Sequence, residues 1–239
     1  LNTHIESGAD VTLLYHSVDN AKDAYVNCDI LNLNKQKGVL TIEKNRGNAK
    51  NRNIFMDTYV MKKELFIDLI KKAKKTSSLY TLSDIISSEC GEHGTLDVRG
   101  VSHRGYFAAI TDFKGYYNAN IELTDYNAAN SLFDPNWPIY TRTNDSSPTH
   151  YSEDGTAKNS VVSNGCLIEG TVDNCVIGRG CSIKEGAVVK NCVILSDVSI
   201  GSGIHAENLV IDRNAKLTKV KEIVAPDGDP HYVKRYDVI

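Results

Sequence analysis

Side chains that carry most enzyme chemistry are dispersed along this sequence. Its seven histidines do not pair at metal-ligand spacing, and its six cysteines include no Cys-x-x-Cys pair. No order of serine, histidine and acid predicts a catalytic triad, and no Gly-x-Gly-x-x-Gly loop predicts a phosphate cradle. We therefore expect no metal site and no catalytic residue in this chain.

A six-residue apolar period organises the second half of the sequence, with glycines and short polar residues between the apolar positions. A helix face would repeat at three and four positions and a half-buried strand at two, so this period predicts a parallel β-helix of roughly three coils over 160–217. Short antiparallel strands joined by glycine turns are the alternative. The apolar row is Val162, Ile168, Ile177, Ile183, Val189, Ile194, Ile200, Ala206, Ile211 and Leu217.

One histidine in this coil raises an enzymatic alternative. Hexapeptide coils occur in acyltransferases, which use a histidine as general base. His205 is the single histidine between 160 and 217. A hexapeptide-repeat acyltransferase is therefore an alternative function, although the long α/β half does not fit that class.

The first half of the sequence alternates strand and helix patterns. Stretches at 9–16, 39–44, 54–61, 95–101 and 106–110 predict strands, and apolar residues at helical spacing predict a helix over 61–75. Thr81 and Asp84 give the start signal of a second helix, and Asp112 is expected to cap a long helix from 113 to about 132. The expected organisation is an α/β domain (1–132), a polar connector (133–159), and the β-helix with its tail (160–239).

Four strings in this order resemble the bacterial ADP-glucose pyrophosphorylase family, also called glucose-1-phosphate adenylyltransferase. HIESGADVTLLY at 4–15 looks like the family's His-x-x-x-Gly-Ala-Asp-Val-Thr strand, and PIYT at 138–141 looks like its connector. VVSNGCLIEG at 161–170 and VIDRNA at 210–215 are similar to its coil. The resemblance covers the C-terminal two-thirds of the family. It implies a partial nucleotidyltransferase-like α/β domain followed by a left-handed parallel β-helix used in assembly and allosteric control.

The resemblance also implies a sugar-phosphate pocket, from which this sequence departs. Ala109 stands where the family has an aspartate that helps to hold Mg²⁺, and a methyl group cannot bind a hard cation. Glu43 and Lys44 match the family's Glu-Lys-Pro, whose lysine contacts the sugar phosphate, but an asparagine follows them. Asp57 places a negative charge near the expected phosphate. We call these four residues the pocket remnant.

These departures resemble the GlgD-type companion subunit of the family. They imply a non-catalytic or weakly catalytic regulatory subunit of the enzyme that makes ADP-glucose and pyrophosphate from ATP and glucose 1-phosphate in glycogen biosynthesis. The implied partner is a catalytic paralogue in a hetero- or homo-tetramer. That partner would hold the Mg²⁺, and this chain would hold no cofactor. A competent sugar-phosphate nucleotidyltransferase is the alternative.

Arg213 is the candidate for regulation. It matches a family lysine that lies near an anionic-effector site, and a guanidinium group suits phosphate or sulfate. The resemblance therefore implies a sugar-phosphate or nucleotide effector at Arg213. An exposed arginine at a corner of the coil is the alternative.

Composition predicts a cytoplasmic protein. The 239 residues are 41% hydrophobic and 24% charged, with a net charge of -3, which suggests neither a nucleic-acid nor a membrane partner. No apolar run is long enough to cross a bilayer. The chain starts at Leu1 without a signal peptide, so we expect a fragment of a longer polypeptide. The cysteines are expected to be buried free thiols.

Overall fold

The computed structural model describes residues 1–75, 81–133, 135, 138–140, 143 and 145–239. The chain divides into two compact units, Leu1–Ala109 and Ile110–Ile239. Each unit has hydrophobic core clusters of its own.

The first unit, called the α/β unit, is built on a five-stranded mixed sheet. Its elements are α1 (Asn2–Ser7), β1 (Val11–Val18), β2 (Asp29–Leu33), β3 (Val39–Lys44), β4 (Arg52–Met61), α2 (Lys63–Ala73), α3 (Leu82–Glu89) and β5 (Val98–Ser102). The strand order is β3-β2-β4-β1-β5. β1 runs parallel to β5 and antiparallel to β4.

The two faces of this sheet bury different residues. The helix-packed face, which carries Leu31 and Phe55, packs against α2 and α3. The opposite face carries Ile30 and Ile54 in a smaller cluster. Side chains alternate along a strand, so sequence neighbours such as Ile30 and Leu31 lie on different faces. A site on one face of this sheet therefore draws on alternate residues of each strand, except where an irregularity shifts the alternation, as between Val39 and Ile42 of β3.

Most predicted elements of the α/β unit are present. β3 has the predicted bounds, and Thr81 and Asp84 form a reciprocal capping box at the start of α3. The predicted strand at 106–110 is wrong, because this segment forms no strand. Its Phe107 and Ala109 instead pack against the cluster on the opposite face of the sheet.

The second unit, called the coil unit, begins with α4 (Phe113–Glu122) and α5 (Tyr126–Leu132), and its described residues continue as fifteen short strands. These are β6 (His150–Tyr151), β7 (Thr156–Lys158), β8 (Val161–Val162), β9 (Leu167–Ile168), β10 (Thr171–Asp173), β11 (Val176–Ile177), β12 (Ser182–Ile183), β13 (Val188–Lys190), β14 (Val193–Ile194), β15 (Ser199–Ile200), β16 (His205–Glu207), β17 (Leu209–Ile211), β18 (Lys216–Leu217), β19 (Glu222–Val224) and β20 (His231–Val233).

The predicted parallel β-helix is confirmed. Its strands form three parallel sheets of five, β6-β9-β12-β15-β18, β7-β10-β13-β16-β19 and β8-β11-β14-β17-β20. Each turn of the coil, here called a rung, contributes one strand to every sheet. Ile168, Ile183, Ile200 and Leu217 stack in register along one sheet, and all four are 0% exposed. The inward apolar stack holds the rungs together.

The coil is longer than the expected 160–217, since its strands run from His150 to Val233. The first two strands of the first rung were not predicted because Tyr151 and Ala157 occupy the positions that pair with Ile168 and Val172. An end rung has a neighbour on one side only, so its composition departs from that of the inner rungs.

One-residue slips in the apolar period fall at the corner between the second and third strands of a rung. Val189 and Ile194 are five residues apart there, as are Ala206 and Ile211, whereas the steps from Ile177 to Ile183 and from Ile194 to Ile200 span six. Asn174, Asn191 and Asn208 turn this corner in the left-handed conformation, with φ of 53°, 48° and 57°. Asparagine tolerates this conformation better than most side chains. The Asn174 amide donates to Asn191 Oδ1 at 2.8 Å, which links successive rungs.

The predicted long helix over 113–132 is two helices. Asp112 caps α4 as predicted, with Oδ1 accepting from Gly115 N–H at 2.6 Å. Helix α4 ends at Glu122, because Asp125 caps the start of a new helix, α5.

The sequence placed helix α4 in the first domain, but in the structure α4 packs on the coil. Tyr117 lies against Val193 and Val210 of β14 and β17. Its hydroxyl donates to the Asn191 carbonyl at 2.7 Å. These contacts tie the helix to two neighbouring rungs.

All six cysteines are buried free thiols, as predicted. Four lie in the coil, where they behave as small apolar residues with a weak donor. The Cys181 thiol, for example, donates to the Leu195 carbonyl at 3.1 Å. In the part of the chain that the structure describes, no helix is long and apolar enough to cross a membrane.

Candidate functional site

The position at which the family resemblance expects a metal ligand lies in an apolar cluster. Ala109 packs beside Ala21, Ile30 and Ile54 on the opposite face of the α/β sheet. Within the described residues, no group of three or more His, Cys, Asp or Glu side chains could hold a metal. Mg²⁺ requires oxygen ligands, and Ala109 offers none. The residues present therefore do not fit Mg²⁺ at this position.

Lys44, the second residue of the pocket remnant, is held by a carboxylate. It lies at the end of β3 directly opposite Asp29 of β2. Its Nζ lies 2.8 Å from Asp29 Oδ1. This ion pair neutralises the ammonium group that the resemblance assigns to the sugar phosphate.

Glu43 lies on the other face of the same strand. It pairs with Ile30, and its carboxylate accepts from Asn32 Nδ2 at 2.8 Å. Because consecutive side chains of a strand alternate, Glu43 shares the face of Ile30 and Ala109, whereas Lys44 points to the helix-packed face. The two residues of the Glu-Lys pair are thus separated by the sheet.

Asp57 lies in a β-bulge of β4. The pairing register with β1 shifts between Leu13, opposite Tyr59, and Tyr15, opposite Phe55. Asp57 has a φ of 49°, in the left-handed region that few non-glycine residues adopt. The bulge therefore sets the direction of this carboxylate.

The Asp57 carboxylate is bound by a neighbouring phenol. Tyr59 donates its hydroxyl hydrogen to Asp57 Oδ1 at 2.6 Å. Burial raises the pKa of Tyr59 well above its ordinary value, and the carboxylates of Asp57 and Asp29 raise it further. The carboxylates of Asp29 and Asp57 therefore outnumber the single ammonium group of Lys44 in this region. This excess of negative charge is unfavourable for binding a phosphate.

The structure thus brings together only part of the pocket remnant. Lys44 and Asp29 lie on the helix-packed face, while Glu43 and Ala109 lie on the other. Asp29 was not among the predicted site residues. Its role depends on strand β2, which the sequence analysis did not predict, so no local signal could have assigned it.

Arg213 lies in a polar cleft on the coil. The cleft has a volume of about 530 Å³ and is lined by Thr143, Arg179, Ser196, Asp197, Arg213, Asn214 and Arg235. Arg179, Arg213 and Arg235, here called the arginine corner, belong to different rungs. Sequence reasoning missed Arg179 and Arg235 because their proximity depends on the length of each rung.

Backbone hydrogen bonds stack the turns of this corner. The N–H of Asp197 donates to the carbonyl of Arg179 at 2.8 Å. In the same way, the N–H of Asn214 donates to Ser196 at 3.2 Å, and the N–H of Tyr236 donates to Arg213 at 3.2 Å. The three arginines therefore occupy equivalent positions on a regular ladder.

Carboxylates accompany the arginine corner. Asp212 accepts from the Tyr232 hydroxyl and from Arg213 N–H, each at 2.6 Å. These hydrogen bonds, with the nearby Arg235 and Arg213 charges, hold the pKa of Asp212 below its usual range. With Asp197 in the lining, the corner keeps one more positive than negative charge. A guanidinium-rich cleft of this kind can bind an anion.

His205, the candidate base of an acyltransferase, lies near two carboxylates, and only its Nδ1 is hydrogen bonded to one of them within the described part of the chain. Its Nε2 lies 3.2 Å from Glu207 Oε2, and its Nδ1 lies 3.2 Å from Glu222 Oε1. Both ring nitrogens thus face acidic groups of the coil. Nε2 is buried, which does not favour a general base that must reach a substrate proton.

Residues 146–235 match a family of hexapeptide repeats described as "GlmU-like, C-terminal hexapeptide". The match covers less than half of the chain. Together with the α/β unit, it confirms the predicted fold class, an α/β domain followed by a left-handed β-helix of hexapeptide repeats.

Curated relatives confirm the resemblance to the ADP-glucose pyrophosphorylase family. The chain is 32% identical over 180 residues to the glycogen biosynthesis protein GlgD of Bacillus subtilis, covering 75% of this chain and 51% of that protein. It is 34% identical over 169 residues to the glucose-1-phosphate adenylyltransferase of Fervidobacterium nodosum, covering 71% and 40%. A GlgD of Geobacillus stearothermophilus is 32% identical over 189 residues, covering 79% and 44%. The chain thus spans about half the length of these relatives.

Proposed function

We propose that this chain, which resembles the ADP-glucose pyrophosphorylase family, acts in glycogen biosynthesis as a non-catalytic or weakly catalytic regulatory subunit of glucose-1-phosphate adenylyltransferase. The observation that carries the proposal is the setting of Ala109. An alanine packed in an apolar cluster stands where the resemblance places a metal-binding carboxylate. Relatives named GlgD and relatives named adenylyltransferase both support a role in this process.

The chemistry of nucleotidyl transfer explains why Ala109 matters. A bound divalent cation stabilises the charge that develops on the phosphates, and losing it costs orders of magnitude in rate. The Lys44–Asp29 ion pair removes a second source of positive charge. Asp57 adds a negative charge to the same region, where it would repel a phosphate.

The proposal includes a partner. A chain with a degenerate pocket and a well-formed coil suits a role in assembly, and the family resemblance implies tetramers. We expect a cytoplasmic complex with a catalytic paralogue that holds the Mg²⁺. This chain would raise the activity of that paralogue or change its response to effectors.

A pyrophosphate-release assay tests catalysis and partnership together. The full-length protein should be assayed alone, with its catalytic paralogue, and with a paralogue whose metal-binding aspartate has been replaced. We expect negligible turnover alone, co-elution on mixing and a changed rate. Substantial turnover by the protein alone would establish the competent nucleotidyltransferase that the Fervidobacterium relative suggests. Failure to co-elute or to change the rate would refute the partnership.

Arg213 is proposed to bind the phosphate group of an anionic sugar-phosphate or nucleotide effector. Support comes from the arginine corner, where Arg179 and Arg235 add positive charge to the cleft. Arg213→Ala should weaken the effector response of the assembled enzyme, and Lys219→Ala, an exposed coil cation outside this lining, should leave it intact. An unchanged response in Arg213→Ala would remove Arg213 from the effector site.

A further inference from the structure

Helix α2 has two stripes of residues, one in the core of the α/β unit and one in solvent. Leu65, Leu69 and Ala73 belong to the core stripe, which packs with the helix-packed face of the sheet. The other stripe repeats at steps of three and four residues, so its side chains share one face of the helix, and all of them are exposed. We call it the α2 stripe, and its members are Lys63, Phe66, Ile67, Ile70, Lys71 and Lys74.

The centre of the α2 stripe is apolar. Phe66, Ile67 and Ile70 are 42%, 39% and 36% exposed. Phe66 and Ile67 lie four and three residues before Ile70, so the three side chains are neighbours on the helix surface. Single exposed apolar residues are ordinary, whereas a contiguous group rimmed by charge indicates a contact surface.

The ends of the α2 stripe are basic. Residues 62–75 contain six lysines and only two acidic residues, neither of which belongs to the stripe. Lys71 Nζ lies 3.8 Å from Asp68 Oδ1, and both side chains are highly exposed. Among the described residues, Lys63 and Lys74 form no ion pair. The net charge of -3 did not indicate a membrane partner, because it averages this local positive excess over the whole chain.

The size and charge of the α2 stripe favour a lipid surface over a protein partner. Helix α2 has 11 residues. It is therefore about 16 Å long and about 10 Å wide, so one face offers about 160 Å². A stable protein interface needs about 800 Å² from each partner. A second copy of this chain would also place lysines against lysines, which repel one another.

An anionic membrane has no such requirement for area. Each lysine gains free energy separately as it approaches the negative surface, and apolar side chains enter the boundary between headgroups and acyl chains. A helix with an apolar centre and lysines at both ends therefore suits the plane of a membrane.

We propose that the α2 stripe binds the anionic surface of a lipid membrane, with α2 lying parallel to that surface. Phe66, Ile67 and Ile70 would insert below the headgroups. The lysines would extend their ammonium groups to the lipid phosphates. The stripe shares no residue with the pocket remnant or the arginine corner, and this proposal does not depend on the regulatory role proposed above.

Vesicle flotation with the full-length protein tests this surface. Vesicles of phosphatidylglycerol mixed with phosphatidylcholine should bind the protein, and those of phosphatidylcholine alone should bind it at least about tenfold less. Binding should weaken as the salt concentration rises. Lys63→Gln and Lys74→Gln should each weaken binding about fivefold, the loss expected for one lysine near an anionic surface. Ile67→Ser should weaken it at least about threefold, because an inserted side chain is lost.

Control variants locate the contact on α2. Lys22→Gln and Lys35→Gln each remove one exposed positive charge of the same unit, and both should bind as the parent does. The proposal is overturned if the protein does not float with the mixed vesicles, or if it binds both kinds of vesicle equally. Equal weakening in the control and stripe variants would also overturn it, since binding would then follow net charge alone.

Two further results would assign the stripe to another partner and overturn the proposal. One is competition by a short DNA duplex together with unchanged vesicle binding in Ile67→Ser, which would indicate a general polyanion site. The other is a lipid-free dimer that Ile67→Ser abolishes, which would indicate a second copy of this chain. Urea denaturation checks that the variants remain folded. The pyrophosphate-release assay tests the proposed function separately from each of these outcomes.

Discussion

The two units of this chain build their cores in different ways. In the coil, Ile183 lies between Ile168 and Ile200, its equivalents one rung before and one rung after. In the α/β unit, Ile30 packs with Ile54, Ala21 and Phe107, which come from separate parts of the sequence. A repeated contact leaves a period in the sequence, whereas a contact between distant segments does not. The fold of the coil can therefore be predicted from the sequence, whereas the arrangement of the pocket remnant is harder to predict.

The coil core should be the more sensitive region to a buried charge. Ile200 is 0% exposed and stacks between Ile183 and Leu217. Ile200→Asp would bury a carboxylate without a partner, and we expect a loss of about 4 kcal/mol or more in the free energy of unfolding. Urea denaturation measures the loss. Ser199→Asp, at the preceding position of the same strand, should lower the free energy of unfolding by less than about 1 kcal/mol. Equal losses in the two variants would contradict the inward stack.

A smaller loss is expected when a carboxylate is added to the pocket remnant. Ala109→Asp places a charge in the apolar cluster but near the surface, so we expect a cost of about 1–3 kcal/mol. Turnover should not appear, because Asp29 still neutralises Lys44 and Asp57 still repels phosphate. Denaturation and pyrophosphate release measure the two effects, with the exposed Ala108→Asp as the matched control. Measurable ADP-glucose synthesis by Ala109→Asp would show that the remnant lacks only this ligand.

The contact between α4 and the coil should contribute less. Tyr117→Phe removes the hydrogen bond to the Asn191 carbonyl and should cost about 1 kcal/mol at neutral pH. The highly exposed Tyr126→Phe, which leaves the coil untouched, should be neutral.

The same phenol makes this contact sensitive to pH. Burial raises the pKa of Tyr117 to about 12, above its ordinary value of 10.0. A raised pKa means that the folded chain favours the protonated phenol. Its stabilisation is complete below pH 10.0 and is lost as the pH rises through about 12. Denaturation at several pH values should show the advantage over Tyr117→Phe shrinking across that window. A constant difference would show that the phenol is not desolvated.

The smallest effect is expected at the Lys44–Asp29 ion pair. Both side chains are partly exposed, so Asp29→Asn should cost less than about 1 kcal/mol, and less still at high salt. Denaturation at low and high ionic strength measures this. Asp68→Asn, which removes the more exposed pair with Lys71, serves as the matched control. A loss as large as that of Ala109→Asp would mean that Asp29 supports the fold and not only the charge of Lys44.

Local signals predicted many elements correctly. Thr81 with Asp84, and Asp112, are capping residues whose side chains accept the first N–H groups of a helix, and the structure shows both caps. The coil could be predicted because apolar residues recur along it at a nearly fixed step. These features depend on neighbours in the sequence, or on the same position in the next rung.

The elements that were predicted wrongly or missed are determined by tertiary packing. Tyr106–Ile110 has a strand-like composition, yet Phe107 and Ala109 pack on the sheet face instead of pairing with a strand. Strand β2 is short and is defined by its pairing with β3. No sequence pattern around Asp57 indicates the bulge. Because the arrangement of the pocket remnant depends on all three, the sequence could propose these residues but could not predict their division between two faces.

The contacts of α4 restrict how this coil can change length during evolution. Each inward side chain touches only the rungs directly before and after it, so a whole rung can be gained or lost without disturbing the others. Val193 and Val210, however, belong to two neighbouring rungs that α4 covers together. Deleting either rung would remove half of the surface on which the helix rests. Insertions and deletions of whole rungs among homologues should therefore accumulate at the ends of the coil, while this pair of rungs keeps a fixed spacing.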